Sequence, residues 1–185
     1  MLPLPLYTIQ SLIDEQTMIE LQDYRDTTES TAAKVIGKDK KGRYDNIRKA
    51  TVKNVRHSDF PDICTDFCKL LEVHRPMCFA EKFEVREFNY LVYGPGDHFV
   101  KHQDWLHLDN DNEYSNRQFS TTTLINKSDD LQGGDLLIWD RYGEVHQVEL
   151  EVGETVIFNS RAFHQVTPVV QGTRESLVAW IYKKR

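Results

Sequence analysis

The spacing of apolar residues changes near residue 80. Before that point it is helical: Asp14 is placed to cap a helix carrying Met18, Ile19 and Leu21, and Asp62 to cap another carrying Phe67, Leu70 and Leu71. After about residue 79 the pattern alternates. Phe83, Val85, Glu87 and Asn89 share one parity and Glu84, Arg86, Phe88 and Tyr90 the other, so residues 83–93 read as a strand. Further short strands are expected near 119–126, 135–139, 144–151, 155–159, 164–170 and 175–183. Turn signals separate them: Gly94-Pro95-Gly96, Gly133-Gly134, Gly143, Gly153 and Gly172. Many short strands behind a helical preface predict an all-β core, closed or double-sheeted, buttressed by N-terminal helices. No repeat or linker divides the 185 residues, so one domain is expected, with 1–80 as helical and strand support and 81–184 as the core. Residues 105–117 are too polar for a strand and read as a long surface loop.

Composition is ordinary for a globular protein, and it excludes more than it identifies. No apolar run approaches the ~18 residues of a membrane span, and Met1 to Tyr7 is apolar but lacks a basic n-region, which argues against a signal peptide. Three cysteines, Cys64, Cys68 and Cys78, are too few for a disulfide framework and fit a reducing, cytoplasmic setting. Cys64 and Cys68, four apart, read as small apolar residues on one buried face. The net charge of -6 speaks against nucleic acid as a partner. One segment departs from that balance. Residues 34–53 carry Lys34, Lys38, Lys40, Lys41, Arg43, Arg48, Lys49 and Lys53 against Asp39 and Asp45, as a solvated loop or a basic lid would.

Candidate chemistry begins at His102-Gln103-Asp104. On a strand, residues i and i+2 face the same way, so this pair can present an imidazole beside a carboxylate. His164 lies 60 residues after Asp104, at the head of a later strand. Two histidines and one carboxylate on one face of a metal leave three adjacent positions free. That arrangement suits a non-haem Fe(II) centre taking a chelating cosubstrate together with dioxygen. Arg174, ten residues past His164, can grip the far carboxylate of a dicarboxylic keto acid with its guanidinium fork, and Ser176 on the same strand face can add a hydroxyl. His57, His74, His98, His107 and His146 lack a partner set at ligand spacing, and Asp109, Asp111 and Glu113 alternate like a calcium loop without its glycine or bidentate glutamate.

The stretch from Glu81 to Tyr182 resembles the catalytic domain of the Fe(II)/2-oxoglutarate-dependent oxygenases, in particular the prolyl 4-hydroxylase-like branch. Tyr93-Gly-Pro-Gly-Asp-His-Phe-Val-Lys-His102-Gln-Asp104 is similar to that branch's entry into its first iron ligands, including the nine-residue step from Tyr93 to His102. Gly133-Gly134-Asp135-Leu136 resembles its Gly-Gly strand opening, Gly153 to Ser160 the strand before the distal histidine, and Trp180-Ile181 the closing strand. The resemblance implies a double-stranded β-helix, or jelly roll, with His102, Asp104 and His164 as iron ligands. It also implies Arg174 as the anchor of the 2-oxoglutarate C5 carboxylate, Tyr93 as a pocket wall, and an association with L-ascorbate. The implied reaction consumes Fe(II)-bound 2-oxoglutarate and O2, releases succinate and CO2, and hydroxylates a C–H bond.

Two positions depart from the branch. Prolyl 4-hydroxylases proper usually carry lysine where Arg174 stands, and a tyrosine that helps hold the C5 carboxylate is replaced by Leu124. Thr122, on the same strand face, is the candidate substitute donor. These departures bear on the substrate, for which a prolyl or other amino-acid side chain, in a protein or free, is expected. The alternatives are an AlkB-type nucleobase demethylase tracking phosphates with the basic segment, and a non-catalytic jelly-roll binding module, whose hallmark would be a broken triad. A Zn(II) hydrolase would leave Arg174 without a task. Arg48-Lys49-Ala50 resembles an Arg-Lys-Ser segment that precedes the core near a mobile lid in these relatives, and Trp105 is a candidate substrate wall.

Overall fold

A computed structural model describes residues 6–36, 41–42, 44–56, 58–63, 65–66, 83–105 and 117–183. The N-terminal half supplies β1 (Tyr7–Ser11), α1 (Glu15–Thr27), β2 (Thr31–Ala32), β3 (Val35–Ile36), β4 (Lys41–Gly42), β5 (Arg48–Lys49) and β6 (Thr51–Val55). The core strands are β7 (Phe83–Tyr93), β8 (His98–His102), β9 (Arg117–Lys127), β10 (Gln132–Gly133), β11 (Leu136–Trp139) and β12 (Val145–Val148). They continue with β13 (Glu154–Asn159), β14 (His164–Val166), β15 (Val169–Gln171) and β16 (Arg174–Lys183).

Two antiparallel sheets face each other as a jelly roll. The larger runs β1-β13-β9-β16-β7-β6-β2 and the smaller β12-β11-β14-β8-β5. Between them lies a core of Leu91, Tyr93, Leu124, Leu136, Ile138, Val156, Phe158 and Val166, drawn from both inner faces. The outer face of the larger sheet, with Phe88, Tyr90, Ile125, Leu177, Ala179 and Ile181, is covered by Leu21, Met18 and Tyr24 of α1. The N-terminal half therefore does two jobs: β1, β2 and β6 widen the larger sheet, and α1 seals its back.

Asp14 caps α1 as expected, its carboxylate accepting from the Thr17 amide at 2.8 Å. The second expected helix is described only at 61–63 and 65–66; it begins at Pro61, which puts Asp62 inside the first turn rather than at the cap. Phe67, Leu70, Leu71 and all three cysteines lie outside the described residues. The parity expected for 83–93 also changes within the strand. Trp180 pairs with Glu87 but Ile181 with Val85, so Arg86 is an extra residue. This bulge brings Val85 onto the outer face with Phe88 and Tyr90, and leaves Glu87 and Asn89 facing inward at one end of the roll. A simple period of two cannot foresee that.

The glycine pair before β11 is needed for close approach. Gly133 has φ +74°, and a Cβ there would sit 2.2 Å from the Pro168 carbonyl oxygen.

A buried polar network ties α1 to the core. Glu175 accepts from Arg25 Nη1 at 2.7 and 2.5 Å, from Asn126 at 3.3 Å, and from the Tyr90 hydroxyl. Arg25→Ala leaves the Glu175 carboxylate buried with only neutral donors. It should lower folding stability by about 2 kcal/mol, read as a shifted urea midpoint at unchanged slope.

Candidate metal centre

The two sheets open at the end where β8 and β14 pair. In that pairing His164 is directly opposite His102. The expectation that Asp104 shares a strand with His102 needs correction, because β8 ends at His102. Asp104 sits in the bend that follows, where its amide and that of Trp105 both donate to the Ser160 carbonyl, at 3.1 and 3.0 Å. The outcome is nonetheless a compact cluster, with ligand atoms of His102, Asp104 and His164 all within 4.8 Å of one another.

Each member is held from behind. His102 Nδ1 lies 2.8 Å from the Val100 carbonyl and His164 Nδ1 3.1 Å from that of Ala162. A proton on each Nδ1 is thereby engaged, which leaves the Nε2 lone pairs to the cluster. Those Nε2 atoms lie 3.6 and 3.4 Å from the two Asp104 oxygens. Phe99 stacks on His102, ring centroids 3.4 Å apart, and Phe158 meets His164 edge-on at 4.8 Å. Ser120 Oγ donates to Asp104 Oδ2 at 2.6 Å and touches Ser160 Oγ at 3.0 Å, while Arg117 Nη1 lies 3.4 Å from the Asp104 carbonyl.

The electrostatics fit a cation. Burial, and then the neighbouring His164, push the His102 imidazole down to about 4, so it stays neutral and able to ligate. Burial works to raise the Asp104 carboxyl, but the imidazoles of His164 and His102 outweigh it and hold the group well below the ordinary carboxylate range. Two imidazoles and one carboxylate are the donor set of a facial triad.

Deeper in the roll, Arg174 pairs with Tyr93 across β16 and β7, and Ser176 with Leu91 and Leu124. Arg174 is buried (6% exposed), and among the described residues its guanidinium has no hydrogen bond or ion pair. Burial draws it below its usual value, opposed by Tyr93 and Asp135. The Ser176 hydroxyl is buried with no partner. An unpaired buried cation and an orphaned hydroxyl two residues apart could together take a carboxylate. Thr122 and Tyr93 line a narrow inner cavity of about 40 Å³ with His102, Asp104 and His164; Leu124 is buried in the intersheet core.

Outside this lies a wider cleft of about 500 Å³. Its walls include His102, Asp104 and Phe99 from the centre, Glu87 and Asn89 from β7, and Trp105, Trp180, Arg48 and Lys34. Trp105, the candidate substrate wall, lines this cleft, with the Arg161 guanidinium carbon over its ring at 4.3 Å. Residues 106–116, which include His107 and the Asp109, Asp111 and Glu113 alternation, lie outside the described residues, as do His57, His74, Lys38, Lys40 and Arg43. Part of the basic segment is not a solvated loop. Lys53 Nζ donates to the carbonyls of Arg25 and Thr28, and Lys49 pairs with Asp97 at 3.3 Å.

Sequence reasoning missed Ser120, Ser160 and Arg117. Ser120-Thr121-Thr122-Thr123 offered a signal: four hydroxyls in succession inside a strand flanked by Phe119 and Leu124 must find buried partners. It also missed that His146 gathers with Asp140 and Glu144. There Asp140 is occupied in the β11–β12 turn, accepting from the amides of Tyr142 and Glu144.

The fold and this cluster together give a jelly roll with two histidines and one carboxylate placed so that they could hold a metal. Residues 88–182 match the 2OG-Fe(II) oxygenase superfamily, and the chain belongs to that family. It is 30% identical over 113 residues to a PKHD-type hydroxylase of Janthinobacterium sp. (strain Marseille), an alignment covering 59% of this chain and 50% of the relative. The chain spans half or less of the length of the curated relatives it matches. Among solved structures it is similar to a Pseudomonas putida prolyl-4-hydroxylase, with a TM-score of 0.69 and 21% identity over 97% of this chain and 94% of that one. A Trichoplax adhaerens prolyl hydroxylase in complex with a hypoxia inducible factor peptide fragment gives a TM-score of 0.70 and 14% identity, covering 96% and 83%. At those identities the likeness establishes the jelly-roll fold. Among the described residues, no helix is long and apolar enough to cross a membrane.

Proposed function

We propose that the protein is an Fe(II)- and 2-oxoglutarate-dependent hydroxylase. It acts on a C–H bond of a prolyl or other amino-acid side chain and releases succinate and CO2. His102, Asp104 and His164 hold the iron, and Arg174 with Ser176 holds the far carboxylate of 2-oxoglutarate, with Tyr93 and Thr122 as walls. The observation that carries this reading is the pairing of the three-donor cluster with a buried, unpaired arginine in the same roll. A binding module without catalysis would have no use for both.

When bound, the iron and cosubstrate supply the oxidising power, coupling loss of CO2 from 2-oxoglutarate to insertion of oxygen into the substrate. The protein's own contribution is orientation and exclusion of water. The Val100 and Ala162 carbonyls fix the imidazole tautomers, and Ser120 fixes the rotation of the Asp104 carboxylate. Arg174 would hold the cosubstrate's far carboxylate by charge-assisted hydrogen bonds and so limit how the cosubstrate can lie in the roll. Phe99, Phe158, Leu136 and Val166 line the inner cavity and keep it dry. The substrate enters by the wider cleft, whose volume suits an amino-acid residue or a short peptide.

Ser120→Ala removes one bond to Asp104 without touching the donor set. It should weaken metal affinity about 10- to 100-fold with little loss of stability, as measured by competition with a metal-sensitive dye. The activity itself is tested by supplying Fe(II), 2-oxoglutarate and isotopically labelled dioxygen to peptide and metabolite mixtures. The expected result is succinate together with label in an amino-acid product. Absence of succinate under all mixtures would overturn the reading.

A further inference from the structure

Arg48 is held at the boundary between the wide cleft and the inner cavity, and lines both. Strand β5 pairs it with Phe99 on β8, and its guanidinium carbon lies 4.7 Å from the centre of the Phe99 ring, which in turn stacks on His102. The cation is thus one ring removed from the metal cluster. Its Nη1 donates to the Lys34 carbonyl at 3.3 Å, and its Nε is buried with no partner. The neighbouring cations are already engaged: Arg117 with Glu87 and Tyr182, and Lys49 with Asp97. Among the described residues no carboxylate pairs with Arg48. A buried donor left without an acceptor is costly, and a guanidinium held over an aromatic ring and by the Lys34 carbonyl has little freedom to turn its remaining N–H groups elsewhere. A neutral carbonyl would fill the hydrogen bond and leave the charge uncompensated; a carboxylate satisfies both. Lys34, on the same wall, adds a second positive charge.

We propose that Arg48 is a specificity-determining residue whose guanidinium takes a carboxylate of the substrate, so that the cleft selects an acidic amino-acid or peptide group. This rests on reading the adjacent cluster as the reaction centre. Such a carboxylate comes either from the C-terminal end of an amino acid or from an acidic side chain within a peptide.

The test uses ligand-detected NMR on the full chain, metal-free and loaded with Zn(II) and 2-oxoglutarate. The probes are N-acetyl-L-proline and N-acetyl-L-glutamate α-amide, each beside its uncharged amide, N-acetyl-L-prolinamide or N-acetyl-L-glutaminamide. At least one acid should bind about tenfold or more tightly than its amide, and which of the two does so identifies the source of the carboxylate. Arg48→Gln should remove that preference and Arg48→Lys should retain part of it. No acid preference in the wild type, or its persistence in Arg48→Gln, would overturn the proposal. So would a loss of 2-oxoglutarate affinity equal to the loss of acid affinity, which would assign Arg48 to the cosubstrate. Because the probes are also measured without metal, an Arg48-dependent acid preference stands or falls separately from metal loading. Failure of Zn(II) and 2-oxoglutarate to bind the wild type would fault the reaction centre instead.

Discussion

Replacing His102, Asp104 or His164 with alanine should each reduce 2-oxoglutarate turnover by more than ~100-fold, beyond the ~10- to 100-fold cost usual for residues that only support a metal ligand. The size follows from the donor count. Three protein atoms converge within 4.8 Å, and removing one leaves a two-point site in which neither the metal nor its open face is held. The variants should still fold. His102 and Asp104 lie at the cavity mouth rather than in the intersheet core, so their loss opens no cavity between the sheets. Circular dichroism and the urea midpoint should therefore stay near wild type while succinate formation falls to background. Near-wild-type turnover in any one of the three would sink the assigned triad.

Arg174→Ala should weaken 2-oxoglutarate binding by about 2–4 kcal/mol, roughly 30- to 700-fold. A guanidinium only 6% exposed, with no partner among the described residues, has paid its desolvation in advance, so the incoming carboxylate gains nearly the full charge-assisted contact. Arg174→Lys keeps the charge and loses the fork, so its loss should be smaller. Stability provides a second readout. The ligand-free Arg174→Ala protein should be no less stable than wild type, since an unpaired buried cation has been removed, and added 2-oxoglutarate with metal should raise the melting temperature of the wild type alone. Equal cosubstrate affinity in Arg174→Ala and wild type would mean another residue holds the carboxylate.

Much of this was legible in the sequence, and the gaps have physical causes. The alternation from Phe83 onward and the glycine punctuation located the core strands, because a two-faced sheet imposes a period of two on whatever it buries. Strand pairing brings together residues far apart in the chain: His164 opposite His102, Arg174 opposite Tyr93. What escaped was whatever depends on contacts distant in the chain. The bulge at Arg86 is a register mismatch between β7 and β16, invisible in either strand alone. Ser120 earns its role only by meeting Asp104 and Ser160 across the roll. Arg48 sits in a short basic run that reads as solvated, and its burial against Phe99 is decided by a two-residue pairing with β8. Asp104 joins His102 and His164 through a bend rather than a strand, because β8 ends at His102 and the expected strand geometry stops there.

The central claim, that one metal at His102, Asp104 and His164 and one carboxylate at Arg174 share a single ligand, is tested most directly by anaerobic calorimetry. 2-Oxoglutarate is titrated into the wild-type protein with and without Fe(II), and into His164→Ala and Arg174→Ala under the same conditions. The expected result is one-to-one binding that needs Fe(II) and is strongly weakened in both variants. Binding of equal strength without Fe(II), or undiminished in His164→Ala, would contradict it.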